Sequence, residues 1–489
     1  MRTRVLALLL LLCAVPAFAA SKLWGNLEPG PHAVGFRVVD TVDHARPFRF
    51  ATDLAGKPRT GERGRPMQVS IWYPAETTNA ATMRYRDYVA LSSRAAFYGL
   101  DLLRDLTPAQ REQLEVMETA AVRDAKPLAR RFPLVLWSLH VPALSHVTPE
   151  YLASHGYVVV SMPRIGVAAG SPETNIDAAD FETKQRDLDF LINTVAALMP
   201  ASADAHNIGA IGFSAGGKWM TGLAMRNPDV RAVVSLDSAL LWNDATHRSW
   251  SSLPSFSLDR MRVPLLHIIR TAWVPREDAA LWTAMRHADR TYVEVPAPGL
   301  DHFDYQSMGY ATTLVGGRPQ LAKAVAEAFH EYHRLTLTFL DAHLKGDTKA
   351  RTQLATIGKR LPAEPAPPTT AQFLEAMQEE GLEPTLAVFR STWKSSGKPP
   401  VDEAALNTVG YVLMLAERRI ADAVKVFSLA TEAFPASANA QDSLGDAYLA
   451  LGDTENAKAA ARKALALLDK DPSPPARKEQ IRQSATSKL

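Results

Sequence analysis

Between residues 30 and 300 the chain alternates short apolar runs with longer stretches in which apolar and polar positions mix. Eight runs read as strands: Ala33–Val39, Met67–Tyr73, Pro133–Trp137, Tyr157–Met162, Ile208–Gly212, Ala232–Leu236, Pro264–Ile269 and Thr291–Val295. The first two alternate apolar with polar residues, as edge strands of an antiparallel pair do. The later ones, such as Val158-Val159-Val160, are almost continuous, which is how a strand covered on both faces reads. Strands interleaved with helices predict an α/β fold with a mostly parallel, eight-stranded sheet. The stretch 84–131 is helical in composition, rich in Leu, Glu, Arg and Ala, and is expected to cover one side of the sheet or a site. The last helix of this domain is expected over 319–344.

Residues 1–19 stand apart. Arg2 and Arg4 precede an apolar run from Val5 to Val15, and Ala17-Phe18-Ala19 follows a small-x-small pattern, so this segment predicts a cleaved signal peptide. The run is too short to span a bilayer, and no later stretch reaches that length, so no transmembrane segment is expected in the mature chain. The domain proper then runs over 20–350. A proline-rich linker with helices follows over 351–402, its densest part being Leu361-Pro-Ala-Glu-Pro-Ala-Pro-Pro-Thr-Thr370. Over 403–471 a period of 34 emerges, with Ala423 recurring as Ala457 and Ala430 as Ala464. Ser437 to Tyr448, then Gly452, fills the small and large positions of a tetratricopeptide-like unit. Residues 407–435 fit the pattern less well. Two such units bury little between themselves, so packing on the first domain or on another subunit or partner is expected. The polar last residues, 472–489, read as a frayed tail.

Composition narrows the function. A formal charge of +2 on 489 residues, with no basic run, argues against a nucleic-acid partner. Losing Arg2 and Arg4 leaves 52 basic against 52 acidic residues. Cys13 is the only cysteine, and Leu10-Leu11-Leu12 before it lacks the small residues of a lipidation site. The mature chain would hold no disulfide, thiol nucleophile or cysteine-metal site. An exported chain of this kind points to a bacterial periplasmic or secreted protein.

The central motif is Gly212-Phe213-Ser214-Ala215-Gly216, with Gly217 beside it, set between a buried strand and a helix. A serine on such a strand-to-helix turn has its hydroxyl lifted into a cleft, and glycines fit where side chains would collide. The motif in this context implies an α/β-hydrolase fold with Ser214 as nucleophile. The partners of such a serine run in chain order acid, then histidine. Among 13 histidines, His302 is best placed, in a loop after the last strand, to act as general base. His330, His333 and His343 fall in the final helix and read as surface residues, and His267 as a core residue within a strand. For the acid, Asp237 directly follows the sixth strand, while Glu277 and Asp278 follow the seventh; the fixed position at a strand end favours Asp237. Asp301 reads as a loop-structuring carboxylate.

Pro29-Gly-Pro-His-Ala-Val-Gly35, Gln68-Val-Ser-Ile-Trp-Tyr-Pro74, Phe132-Pro-Leu-Val-Leu136, Leu152-Ala-Ser-His-Gly-Tyr-Val-Val159 and Leu236-Asp237 make residues 29–310 resemble the platelet-activating-factor acetylhydrolase and dienelactone-hydrolase-like group. The resemblance implies an acid after the sixth strand, again Asp237, and a small or lipid-like ester as substrate, with neither cofactor nor metal. One departure stands out. The turn after the third strand is Trp137-Ser-Leu-His-Val-Pro-Ala143, without glycine. Oxyanion donors are expected from the N–H of Ala215 and from His140 or Val141, since Pro142 has none. The expected activity is carboxylic ester hydrolysis by a Ser-His-Asp triad. A serine peptidase of the same fold, or a degenerate hydrolase serving as an interaction protein, stays open as an alternative.

Overall fold

The computed structural model describes the chain except residues 1–20, 48–63, 95–102, 104–105, 139–140, 167–176, 297–298, 365–372, 374–375 and 378–380. The proposed signal segment, residues 365–370 of the proline-rich run and His140 therefore lie outside the described residues. The chain divides into two compact units, Met1–Glu364 and Pro365–Leu489.

The first unit is built on a ten-stranded sheet: β1 (Ala33–Pro47), β2 (Gly64–Ala75), β3 (Ala121–Arg123), β4 (Phe132–Trp137), β5 (Val158–Ser161), β6 (Ala203–Phe213), β7 (Val230–Leu236), β8 (Leu265–Arg270), β9 (Arg290–Val295) and β10 (Lys359–Leu361). Their spatial order is β10-β9-β8-β7-β6-β4-β5-β2-β1-β3. The six strands β4 to β9 are mutually parallel, while β2 runs antiparallel to both β5 and β1. All eight expected strands are present. The two additional ones, β3 and β10, are three-residue edges pairing with β1 and β9.

Alternate residues of each parallel strand feed opposite cores. Val135, Trp137, Val159, Ile211, Val234 and Ile268 pack with Phe329, Leu335 and Phe339 of the helix Ala322–Leu344. Leu134, Leu136, Val158, Val160, Ala210 and Val233 pack instead with Phe181, Leu188, Trp219 and Met220, from the helices Ala178–Leu198 and Gly216–Ala224. Burial on both faces is why these strands read as unbroken apolar runs. A side chain at 209 in β6 would sit 2.8 Å from Leu344 Cδ1, so glycine there lets the long helix close onto the sheet. This strand order, with its helical crossovers on both faces, is that of an α/β-hydrolase fold, followed by a second unit that is all helical among its described residues.

Two local expectations are corrected. Among its described residues the stretch 84–131 holds the helices Tyr85–Arg94 and Pro108–Glu115 and then β3, so it is not helical throughout. His333 is buried rather than on the surface: the final helix is covered on that side, its Nδ1 lies 2.7 Å from Phe329 O, its Nε2 2.9 Å from Thr148 Oγ1, and burial pulls its pKa down to about 3.

The second unit contains helix pairs Glu403–Tyr411 with Ile420–Ala433 and Ala438–Leu451 with Thr454–Leu467. The recurring Ala423, Ala430, Ala457 and Ala464 are all buried. The first pair carries one residue more than the second between its glycine (Gly410 or Gly445) and the following alanine (Ala423 or Ala457). That residue is absorbed in a π-turn over Val412–Ala416, the usual form of such a bulge, which is why residues 407–435 fit the 34-residue period less well. The polar tail is not frayed. Residues Pro475–Ser487 form a helix that buries Ile481 and Ala485, and the buried Lys488 ammonium meets Asp442 at 2.6 Å and Asp446 at 2.8 Å.

Candidate active site

The carboxyl ends of β6, β7 and β8 and the loop after β9 bring together the residues of interest. Ser214 follows β6 immediately and adopts φ +57°, a left-handed backbone that non-glycine residues rarely hold. Three glycines make the turn possible. A Cβ at 212 would meet Gly217 N at 2.6 Å, one at 216 would meet Ser138 Cβ at 2.6 Å, and one at 217 would meet Ser238 Cβ at 2.7 Å. Residues 216–217 thus lie directly against the ends of β4 and β7. Among the described residues the Ser214 hydroxyl has no hydrogen-bond partner. Such contacts are often long in a site without substrate.

Asp237 follows β7, also with positive φ (+39°), and is fully buried. Its Oδ2 lies 2.7 Å from His302 Nδ1. Its Oδ1 accepts the Arg270 N–H at 3.3 Å, and its own N–H donates to Ile268 O. The imidazole of His302 is clasped between two rings. Phe213, the residue before Ser214, stacks on it at 4.3 Å and 20°, and Trp273 covers it at 4.5 Å and 31°. With Nδ1 committed to Asp237, Nε2 is the nitrogen left to meet a hydroxyl. Asp301 and Asp304 cap the turn His302–Tyr305 reciprocally, and Asp304 is held by Arg318 at 2.7 and 3.0 Å, which stiffens the loop from behind. The Tyr305 phenol is pushed well up by burial first and then by the charge of Asp237.

The other acid candidates have different partners. Glu277 accepts from Tyr292 OH at 2.6 Å and meets His267 Nε2 at 2.6 Å; His267 Nδ1 in turn meets Ser235 Oγ at 2.8 Å, and Ser235 meets Ser238 at 2.5 Å. This buried relay runs behind Asp237 and ends on its chain neighbour. Asp278 caps the short helix Ala279–Ala284 and accepts from Asn243.

At the expected oxyanion positions, Ala215 and Val141 each precede a helix, over Gly216–Ala224 and Pro142–Ser145. Neither N–H donates to a backbone carbonyl among the described residues, as expected of groups at a helix start. Val141 is buried. In the same turn, His146 is fully buried, neither ring nitrogen has a partner among the described residues, and burial pulls its pKa down to about 3. Lys218, on the first turn after the serine, donates to Trp242 O, Asp244 and Thr246 and so pins the loop after β7; burial pulls its pKa to about 8.

No family model matches this chain, and no curated protein matches it. Among solved structures it is similar to a ferulic acid esterase from Streptomyces cinnamoneus, at 20% sequence identity and a TM-score of 0.47, over 64% of this chain and 91% of that one.

Sequence reasoning passed over Arg270 and Trp273. The signal available was a charge ending an apolar strand at the same sheet edge as Ser214 and Asp237, with a tryptophan three residues on.

Proposed function

We propose that the chain is a serine hydrolase cleaving small or lipid-like carboxylic esters through an acyl-enzyme. The observation that carries this reading is the Asp237–His302 hydrogen bond beside a left-handed Ser214, with the imidazole stacked on the residue that precedes the serine. In this reading Ser214 Oγ attacks the ester carbonyl carbon. His302 Nε2 takes the hydroxyl proton and returns it to the departing alkoxide, and Asp237 holds the ring in the correct tautomer and stabilises its cation. A water activated by His302 then releases the acid and restores the serine. The N–H groups of Ala215 and Val141 receive the oxyanion.

The rest of the reading concerns context. The chain is of the platelet-activating-factor acetylhydrolase and dienelactone-hydrolase-like kind. Residues 1–19 direct export to a bacterial periplasm or beyond. The second unit carries tetratricopeptide-like repeats for a protein partner or self-association and takes no part in the chemistry.

The test is Ser214→Ala against the unaltered protein, with p-nitrophenyl acetate turnover, fluorophosphonate labelling and thermal unfolding measured on both. Turnover and labelling should vanish while the unfolding temperature holds. Undiminished turnover in the variant rejects Ser214 as the nucleophile.

A further inference from the structure

Arg270 ends β8 and touches every part of the candidate triad except the serine. Its backbone N–H donates to Asp237 Oδ1 at 3.3 Å. Its Nε forms an ion pair with Asp237 Oδ2 at 3.4 Å, the same oxygen that meets His302 Nδ1 at 2.7 Å. Its Nη1 donates to Leu300 O at 3.2 Å, in the loop that carries His302. Its guanidinium carbon lies 4.2 Å above the ring of Trp273, and that ring covers His302. The side chain is only 12% exposed, so solvent screens it little.

We propose that Arg270 is a positioning residue that sets the basicity of His302. This inference rests on the triad reading given above. A carboxylate alone beside an imidazole favours its cation. The guanidinium on the far side of the shared oxygen opposes that cation. Among the described residues, the other charged or titratable groups around His302 have partners of their own or are buried phenols. Asp301 caps its own turn, Asp304 is paired with Arg318 from the segment before the final helix, and Tyr305 is a buried phenol. The neighbouring faces, Phe213 and Trp273, carry no charge. Arg270 is therefore the cation that balances Asp237. Arg270 Nε and His302 Nδ1 are within about 6 Å of one another through that oxygen, close enough for the charge on one to act on the other.

The experiment is the pH profile of kcat/KM for p-nitrophenyl acetate in the unaltered protein, Arg270→Gln, Arg270→Met and Arg270→Lys, each first checked by thermal unfolding. The acid limb reports the free-enzyme histidine. It should move to higher pH by at least about half a unit in the glutamine and methionine variants, which lack the charge, and stay within about 0.2 unit in the lysine variant. The methionine variant also fills the space over Trp273, so the test survives if glutamine is poorly tolerated. An unmoved acid limb in a folded neutral variant overturns the inference, even if kcat falls, because Arg270 would then be a structural brace only. Failure of the triad reading shows up separately, as turnover that persists in Ser214→Ala.

Discussion

Gly216→Ala puts a methyl group where a side chain already stands. The new Cβ would lie 2.6 Å from Ser138 Cβ and 3.1 Å from Ser138 Oγ. Carbon atoms rest at about 3.5–4.0 Å, so roughly 1 Å of separation has to be found. Ser138 is poorly able to yield: it is fully buried, its N–H donates to Ile211 O at 2.8 Å, its Oγ accepts the Phe213 N–H at 3.2 Å, and its carbonyl accepts from Ser161 at 3.2 Å. The helix start moves instead and takes Ser214 with it. Alanine is favoured over glycine within a helix by about 1 kcal/mol. Overpacking a core costs about 1–3 kcal/mol. The net loss of stability is therefore small, about 0–2 kcal/mol, and the unfolding temperature should fall by a few degrees at most. Activity is the sensitive readout, because a displacement of about 1 Å at a catalytic group can cost about a hundred-fold in rate. Turnover of p-nitrophenyl acetate and thermal unfolding should be measured on Gly216→Ala, Ser138→Gly and the pair combined. Ser138→Gly removes both clashing atoms, so the double variant should regain at least about ten-fold of the lost turnover. A Gly216→Ala protein with turnover within about two-fold of normal, or a double variant no better than the single, would refute the reasoning.

Asp237→Asn should lower kcat/KM by about four orders of magnitude, by presenting the wrong partner to His302 Nδ1, while Asp278→Asn stays near normal; the reverse ranking in the same ester assay would make Asp278 the acid. A second expectation concerns Glu150, fully buried, which accepts from Trp24 Nε1 at 2.9 Å, Tyr88 OH at 2.8 Å and Ala120 N–H at 3.2 Å, and which burial raises to about 7. The unfolded carboxyl ionises at its ordinary pKa while the folded one keeps its proton up to about 7, so this group's stabilisation is full below the ordinary value and is lost as pH rises through that window. Between pH 5 and pH 8 the unaltered protein should lose stability relative to Glu150→Gln, by an amount on the order of 3 kcal/mol; denaturant unfolding at both values measures it, and an equal pH response in the two proteins would count against the raised pKa.

The sheet was legible because its strands are covered on both faces, so Val158-Val159-Val160 or Leu134-Val135-Leu136 leaves little room for another reading. The two three-residue edges were not: β3 and β10 carry no run long enough to show a period, and they exist only because β1 and β9 offer open backbone. Ser214 could be named from a local pattern, since the glycines around it answer to collisions within a few residues and with strand ends. The order of strands narrowed the choice of Asp237 and His302. Arg270 was out of reach because its role depends on which carboxylate oxygen it approaches and which ring it covers, neither of which leaves a periodic trace. His333 failed for a related reason: a polar residue on an amphipathic helix reads as exposed, unless the sequence also reveals that Thr148 and Tyr151 pack against it. The closing segment, 472–489, was misjudged because its few apolar residues, Ile481 and Ala485, are sparse, and its hold depends on Lys488 reaching two aspartates some 40 positions earlier.

The glycine packing under Ser214 separates what this protein can change from what it cannot. Gly212, Gly216 and Gly217 press on backbone and on serines of the neighbouring strand ends, so the turn that carries Ser214 is held by close packing beneath it. Trp242 and Trp273, packed edge to face at 4.6 Å with Arg276 laid 3.5 Å over Trp242, belong instead to turns between strands and helices, partly open to solvent. Substitutions at Trp242 and Arg276 can therefore be made without reopening the geometry beneath Ser214. A library randomised at 242 and 276 would leave the packing beneath Ser214 untouched, whereas one randomised at 273 would also strip the cover from His302 and one at 212, 216 or 217 would collide with backbone and strand ends.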